Sequence, residues 1–504
     1  MGLWTRRGVL AGLLATVALP VRGEAPKTSL RPKARPLRGA AKVKAAAKPT
    51  SIKEIVAASG LTGSTSIVVA DAFSGKILES HQPLKTLPPA SVTKAVTALY
   101  ALHHLGSEFR TQTQVVATGP IANGVVQGDL VLVGGGDPQL DTDGLAKLAK
   151  AVRGRGITGV TGAFRVYSGA LPYQQVIDRA QPDHVGYNPA ISGLNLNFNR
   201  VYFEWKRQGG SYAVTMDART KRLRPQVRGV RMGIVDRAGP LFAYRAKSGA
   251  RGEEWTVMRG ALGKGGGRWL PVRDVDSYVG EVFRTVAAGE GVRLPAAQTA
   301  KRRPKGTVLA AINSGTLREQ ARGMLKFSTN LTAEVMGLTT TRQRGSGAKT
   351  LAASAREMTN WTRRAFGVSK AKFVDHSGLG DASRVSGGDM VKLLAKSGWN
   401  GPLRPVLKDI QLVNSKGKPA PIEGVSVFAK TGTLNFASSL AGFIECPNGR
   451  KLAFAIFTAD MGRRAKIKKA DRERPEGGRA WARRSKRMQQ KLLRHWALTY
   501  GVEG

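Results

Sequence analysis

One cysteine and six histidines are few for a chain of 504 residues, and acidic side chains are scarce. Cys446, in Glu445-Cys446-Pro447, has no partner for an internal disulfide, and a chain this long can bury an adequate core without one. The histidines (His81, His103, His104, His184, His376 and His495) show no His-x-x-x-His grouping, and a single thiol excludes Cys-x-x-Cys. No metal site or cofactor is implied. Beyond the N-terminus no run approaches about 18 uncharged apolar residues, so no later segment reads as a membrane span. No period of about 20–50 residues repeats along the chain. Gly263-Lys264-Gly265-Gly266-Gly267 lacks the strand, spacing and Lys-Ser/Thr ending of a phosphate-binding loop, and reads as a plain loop.

Lys and Arg number 80 against 34 Asp and Glu, a formal balance of +46. Residues 1–23 carry charge at Arg6-Arg7, an apolar run from Val9 to Pro20 and small residues near Gly23, the plan of a secretory signal peptide. Thr5-Arg6-Arg7-Gly8-Val9-Leu10 resembles a twin-arginine signal with Ala11 in place of the usual lysine; a general secretory signal that happens to hold two arginines fits equally. Either route leads to a periplasmic product. Pro26 to Thr50 holds eight Lys/Arg and no acid, and residues 24–50 read as a basic, extended linker. Gly462 to Arg494 holds fourteen Lys/Arg against Asp471, Glu473 and Glu476. Within it, Trp481, Met488, Leu492, Leu493 and Trp496 recur at helical spacing, so Ala480 to Tyr500 predicts a helix with its apolar stripe on the domain and its basic face outward. A chain this basic attracts polyanions. No RRM, helix-turn-helix or zinc-finger pattern is present, so nucleic acid is not the expected partner. Acidic peptidoglycan stems, or an anionic wall or membrane surface met by the linker and the C-terminal segment, are; solvated surface charge is the plain alternative.

Against this background three short motifs stand in order: Ser91-Val92-Thr93-Lys94, Ser328-Thr329-Asn330 and Lys430-Thr431-Gly432. Ser-x-x-Lys on a helix puts a hydroxyl and an amine on one face, about 5–6 Å apart at Cβ. A neutral amine there can take the hydroxyl proton. Ser369-Lys370-Ala371-Lys372 and Ser415-Lys416-Gly417-Lys418 share the pattern but read as surface or turn segments. Ser91 differs: it follows Pro88-Pro89-Ala90 and opens a helical apolar run of Ala95, Val96, Leu99, Tyr100, Leu102 and Leu105. It could be an ordinary N-cap; it also lies at the positive end of a helix dipole, where an oxyanion is favoured. Lys94 needs a depressed pKa to act as base, which burial supplies and a Lys430 that stays cationic would strengthen. Val425 to Lys430 and Ser438 to Ile444 read as two strands of a hairpin with Lys-Thr-Gly at the end of the first.

The three motifs resemble those of the class C low-molecular-mass penicillin-binding proteins, the D-alanyl-D-alanine carboxypeptidase/endopeptidase family of the bacterial cell wall. The spacing is similar too: 237 residues separate Ser91 from Ser328, and 102 separate Ser328 from Lys430. In that family the long first interval holds inserted domains. Gly128-Asp129-Leu130-Val131-Leu132-Val133-Gly134-Gly135-Gly136-Asp137-Pro138, Asn195-Leu196-Asn197-Phe198-Asn199 and Asp375-His376-Ser377-Gly378-Leu379 add to the likeness. The resemblance implies Ser91 as nucleophile and Lys94 as its general base, with Ser328 and Lys430 passing a proton to the leaving amine. It implies that Asn330 holds the substrate amide and orients Lys94, that Thr431 and Thr433 flanking Gly432 bind the terminal carboxylate, and that the backbone N–H groups of Ser91 and Thr433 form an oxyanion hole, about 3–4 kcal/mol per donor. Two departures stand out. The family's Asp-Gly-Ser-Gly-Leu-Ser runs here as Asp375-His376-Ser377-Gly378-Leu379-Gly380, and near Phe164-Arg165-Val166-Tyr167 the expected diamino-acid-reading Asp is replaced by Tyr167.

The expected fold is α/β (α+β), a serine transpeptidase/β-lactamase-like domain whose antiparallel sheet is flanked by helices. Residues 51–108 and 305–504 would form this discontinuous catalytic domain, with 109–304 inserted as one or more mainly β domains and one clear helix at Leu145 to Arg153. The expected activity is a periplasmic serine D,D-peptidase acting on peptidoglycan stem peptides and inhibited by β-lactams. A catalytically weak wall-binding scaffold of the same fold and a β-lactamase-like hydrolase are the alternatives.

Overall fold

The computed structural model describes residues 51–246 and 252–502. The signal peptide and the 24–50 linker lie outside them. Six antiparallel strands form the central sheet, in the order Lys408–Asp409, Ser426–Leu434, Ala437–Glu445, Lys451–Ala459, Ser64–Asp71 and Ile77–His81. The expected hairpin is there: Ser426–Leu434 and Ala437–Glu445 pair along their full length, Lys430 opposite Ala441. Alternation divides the first strand's side chains between two cores. Val427 and Ala429 face the C-terminal helix Gly478–Thr499, which buries Met488, Leu492, Leu493 and Trp496 against that side as its periodicity predicts. The opposite face packs on the helices Thr93–Leu105, Leu317–Phe327, Leu351–Phe366 and Gly387–Ser397. Asn330–Gln343 runs through the middle, buried from Leu331 to Thr341. Among the described residues no helix is long and apolar enough to cross a membrane.

Between Leu105 and Leu317 the chain builds its own core around a five-stranded sheet, ordered Gln298–Thr299, Phe164–Tyr167, Leu130–Val133, Gln112–Ala117 and Thr307–Asn313. The helices Thr142–Gly154 and Val275–Gly289 cover it, and three three-stranded sheets complete the region among the described residues. Thr307–Asn313 pairs with Gln112–Ala117, so the outgoing and returning segments run side by side. One expectation is corrected here. Gly265–Gly267 is not loop but the start of the strand Gly265–Pro271, paired with Arg200–Gln208. The glycines make room for aromatic rings of the neighbouring strand: a Cβ at Gly266 would lie 2.6 Å from Trp205, and one at Gly267 2.3 Å from Tyr202.

Candidate active site

Pro88-Pro89 delivers the chain into a tight turn, Ala90–Val92, that leads directly into Thr93–Leu105. Ser91 is therefore not an N-cap: Val92 holds that position, and no side chain caps the helix. Ala90 sits at φ +48°, a left-handed conformation that costs a non-glycine residue about 1 kcal/mol or more. Two glycines wedge the turn in place. A Cβ at Gly432 would lie 2.7 Å from the Pro89 carbonyl oxygen and 3.0 Å from the Ser91 nitrogen. At Gly378, with φ +74°, it would lie 1.8 Å from the Ala90 carbonyl. The motif glycines are there because the backbones of three segments touch around Ser91.

Lys94, one helical turn beyond Ser91, is fully buried. Its Nζ lies 3.0 Å from Ser91 Oγ, 2.7 Å from Asn330 Oδ1 and 2.7 Å from the Ser377 carbonyl. The last two can only accept, so a neutral amine must give them its two N–H bonds. Its lone pair is then left for the Ser91 hydroxyl, which alone of the three can donate. Asn330, the first residue of its helix, is oriented in turn by donating its Nδ2 to the Tyr187 carbonyl at 2.8 Å.

Motif spacing gave no sign of the carboxylates behind Lys94. Glu334, one turn after Asn330 and fully buried, accepts from the backbone N–H groups of His376 and Ser377, each at 2.9 Å. Asp375 accepts from Gly378 and Gly380. These two acids hold the Asp375–Gly380 turn so that the Ser377 carbonyl meets Lys94. Burial lowers the Lys94 pKa while Glu334 and Asp375 oppose the fall; burial raises both acids in return. The replaced family glycine, His376, fills space left by Gly337, where a Cβ would lie 2.2 Å from its ring. It hydrogen-bonds Ser354 Oγ at 2.8 Å, and burial holds its pKa at about 3.

The second hydroxyl–amine pair mirrors the first. Ser328 ends the helix Leu317–Phe327 in a left-handed conformation, φ +59°. Lys430 Nζ lies 3.1 Å from its Oγ and 2.6 Å from the Thr431 carbonyl. Lys430 is pushed well below the ordinary lysine range, first by burial, then by Lys94 and Lys408. Two acids, Glu334 and Asp375, oppose the fall at Lys94, whereas no carboxylate is among the groups that shift Lys430.

Ser91, Ser328, Asn330 and Thr433 line one cleft of about 290 Å³, together with Gly378, Leu379 and Asn435. The last pairing of the Lys408–Asp409 strand is with Ala429, so Lys430–Leu434 is an open sheet edge along this cleft, suited to an extended peptide. Thr431 is exposed and lines a different cavity, shared with Gly432 and Thr433. Tyr167 is absent from the residues lining the Ser91 cleft. Ser369 and Ser415 are exposed, and neither takes part in these hydrogen bonds. The basic C-terminal stretch reaches further inward than its composition suggested: Arg464, Arg472 and Glu473 line the cleft, alongside Gln181 and Tyr187 from between Leu105 and Leu317. The turn Lys469–Glu473 is tied to the inserted region by Glu473 with His184 and Arg268, and by Lys469 with Asp183.

Two hydroxyl–lysine pairs meeting at an open sheet edge, between a helical half and a sheet, define the class: serine–lysine acyl-transfer enzymes of the penicillin-recognising fold. The comparisons narrow it. The model of the D-Ala-D-Ala carboxypeptidase 3 (S13) family matches residues 49–473. The D-alanyl-D-alanine carboxypeptidase of Actinomadura sp. (strain R39) is 28% identical over 425 residues, 77% of this chain and 76% of that protein. Penicillin binding protein 4 from Haemophilus influenzae superposes with a TM-score of 0.70 at 17% identity, covering 88% of this chain and 99% of that one. Its complex with a β-lactam gives 0.66 at 18% identity, with the same coverage. The chain belongs to the D-Ala-D-Ala carboxypeptidase 3 (S13) family, the class C low-molecular-mass penicillin-binding proteins, and is a serine-type D-Ala-D-Ala carboxypeptidase.

Proposed function

We propose that Ser91 is the residue acylated, and that the protein works on peptidoglycan stem peptides in the periplasm, cutting both terminal D-alanine and D-alanyl cross-links. The substrate lies along Lys430–Leu434 with its scissile carbonyl at Ser91. Lys94 takes the Ser91 proton as the Oγ–C bond forms, and the backbone N–H groups of Ser91 and Thr433 receive the oxyanion. Lys430, through Ser328, delivers a proton to the departing nitrogen as the C–N bond breaks. The proton held by Lys94 then passes by way of Ser328 to Lys430, which resets both amines. Water attacks the ester, its proton going to Lys94 and from there to Ser91 Oγ as the ester C–O bond breaks and the shortened peptide leaves as its carboxylic acid. The Thr433 hydroxyl meets the substrate's terminal carboxylate at the edge of the cleft; Thr431 contributes its carbonyl to hold Lys430. A β-lactam acylates Ser91 by the same first step. Export by the residues 1–23 signal, and attraction of the basic linker and C-terminal segment to anionic wall or membrane, belong to the same reading.

The observation that carries it is the Lys94 amine, whose two compulsory acceptors leave its lone pair on Ser91. Digestion of purified sacculi, with fragments identified by mass spectrometry, tests it. Wild type should release D-alanine and uncross-linked peptides, and Ser91→Ala should release neither. Release unaffected by Ser91→Ala, or none from wild type, overturns it.

A further inference from the structure

The cavity beside Thr431 is larger than the catalytic cleft, about 950 Å³, and it shares Thr433 with that cleft. Its walls are the open edge at Thr431–Thr433, the turn around Asn414–Gly417 and the helix Gly478–Thr499. None of its lining residues is Asp or Glu, whereas Lys416, Arg483, Lys486, Arg487 and Lys491 all line it. None of these five forms an ion pair among the described residues. Arg484, on the same wall, has a buried Nε with no hydrogen-bond partner. Its guanidinium adds to the positive charge of that wall.

Geometry sets the length of that ligand. Arg483, Arg487, Lys491 and Arg494 follow one face of the helix at intervals of three and four, a row roughly 16 Å long at 1.5 Å per residue. An extended peptide of about five residues spans the same distance at roughly 3.3 Å each. The groove is rigidly floored: Gln490 accepts from the Val413 N–H and donates to the Gln411 carbonyl, and Arg494 donates to the carbonyls of Val413 and Ala420.

We propose that this cationic groove seats the leaving-group side of a cross-linked substrate: a second, carboxylate-bearing stem peptide that continues from the residue whose carboxylate meets Thr433. This rests on the reading of Ser91 and Thr433 given above and adds to it a subsite for the leaving-group strand of the cross-linked substrate. A free D-alanine leaving group ends at Thr433 and never reaches the helix, whereas a cross-linked one extends into it. The groove therefore favours cutting of cross-links over trimming of pentapeptides.

The full-length double variant Arg483→Glu/Arg487→Glu tests this against Arg364→Glu/Lys396→Glu, a pair with the same charge change on other helices. kcat/KM is measured for a cross-linked muropeptide dimer and for a monomeric pentapeptide. The ratio of dimer to pentapeptide should fall about tenfold in the groove variant, less at 0.5 M salt, and stay at the wild-type value in the control. An unchanged ratio overturns the proposal. If the variant loses binding to polyglutamate while the ratio stays, the groove is a general polyanion surface and the proposal also falls. Wild type that hydrolyses neither substrate refutes the underlying peptidase reading instead, and the groove assignment with it.

Discussion

In the proposed reaction the reactivity of Ser91 depends on whether Lys94 carries a proton. A buried amine whose pKa is lowered becomes a competent base at a pH where an exposed lysine is still protonated. The sign is plain: the base form gains as pH rises, so acylation of Ser91 by a fluorescent penicillin should climb with pH and level off well below pH 10. A rate independent of pH would remove Lys94 from the role. Glu334→Gln replaces one acceptor oxygen by an amide donor facing a backbone N–H, so one of its two hydrogen bonds is lost, at a cost of about 1–3 kcal/mol. It also removes an anion that holds the Lys94 proton. The acylation midpoint should therefore move to lower pH while thermal stability drops, both readable on one purified variant. His376 gives a third residue-scale test. Its folded pKa of about 3 lies below the unfolded value of about 6.5, so its contribution to stability is present above pH 6.5 and lost as pH falls toward 3. His376→Gln should flatten the decline of Tm across that window, measured by scanning calorimetry; an identical decline in both proteins would contradict the buried, neutral imidazole.

At the scale of elements, the site is a meeting of three chain segments whose backbones touch. Gly432→Ala must push the Ser91 turn away from the sheet edge, because the new methyl would lie 2.7 Å from the Pro89 carbonyl. Acylation should fall at least tenfold with a modest loss of stability, about 1–2 kcal/mol; wild-type acylation would show that the edge does not position the turn. What was legible in advance follows the range of each interaction. The C-terminal helix and the Lys430 hairpin were readable because local periodicity, 3.6 and 2, reports which face is buried. The Ser91, Ser328 and Lys430 motifs were readable because neighbouring residues carry each one. Glu334 was not, since its role depends on a turn 42 residues away, and neither were Arg464, Arg472 and Glu473, hidden in a run that reads as solvated charge. Gly265–Gly267 was misread because the glycines serve the rings of Trp205 and Tyr202 on another strand, which no local pattern encodes.

For the whole molecule, a balance of +46 makes every encounter with an acidic polymer salt-dependent. The fraction of protein sedimenting with sacculi should fall steadily between 50 mM and 500 mM salt; retention unchanged by salt would mean that charge does not govern attraction to the wall. The inserted region, with its own core, reaches the catalytic cleft through Gln181 and Tyr187 and braces the Lys469–Glu473 turn, so the two parts build one site. The central claim remains one serine, activated by one amine. Labelling with a tagged penicillin followed by peptide mapping tests it most directly. The account predicts a single adduct on the peptide containing Ser91, abolished by Ser91→Ala and by Lys94→Ala but retained in Ser369→Ala and Ser415→Ala. An adduct on any other serine, or none at all on the folded wild-type protein, would contradict it.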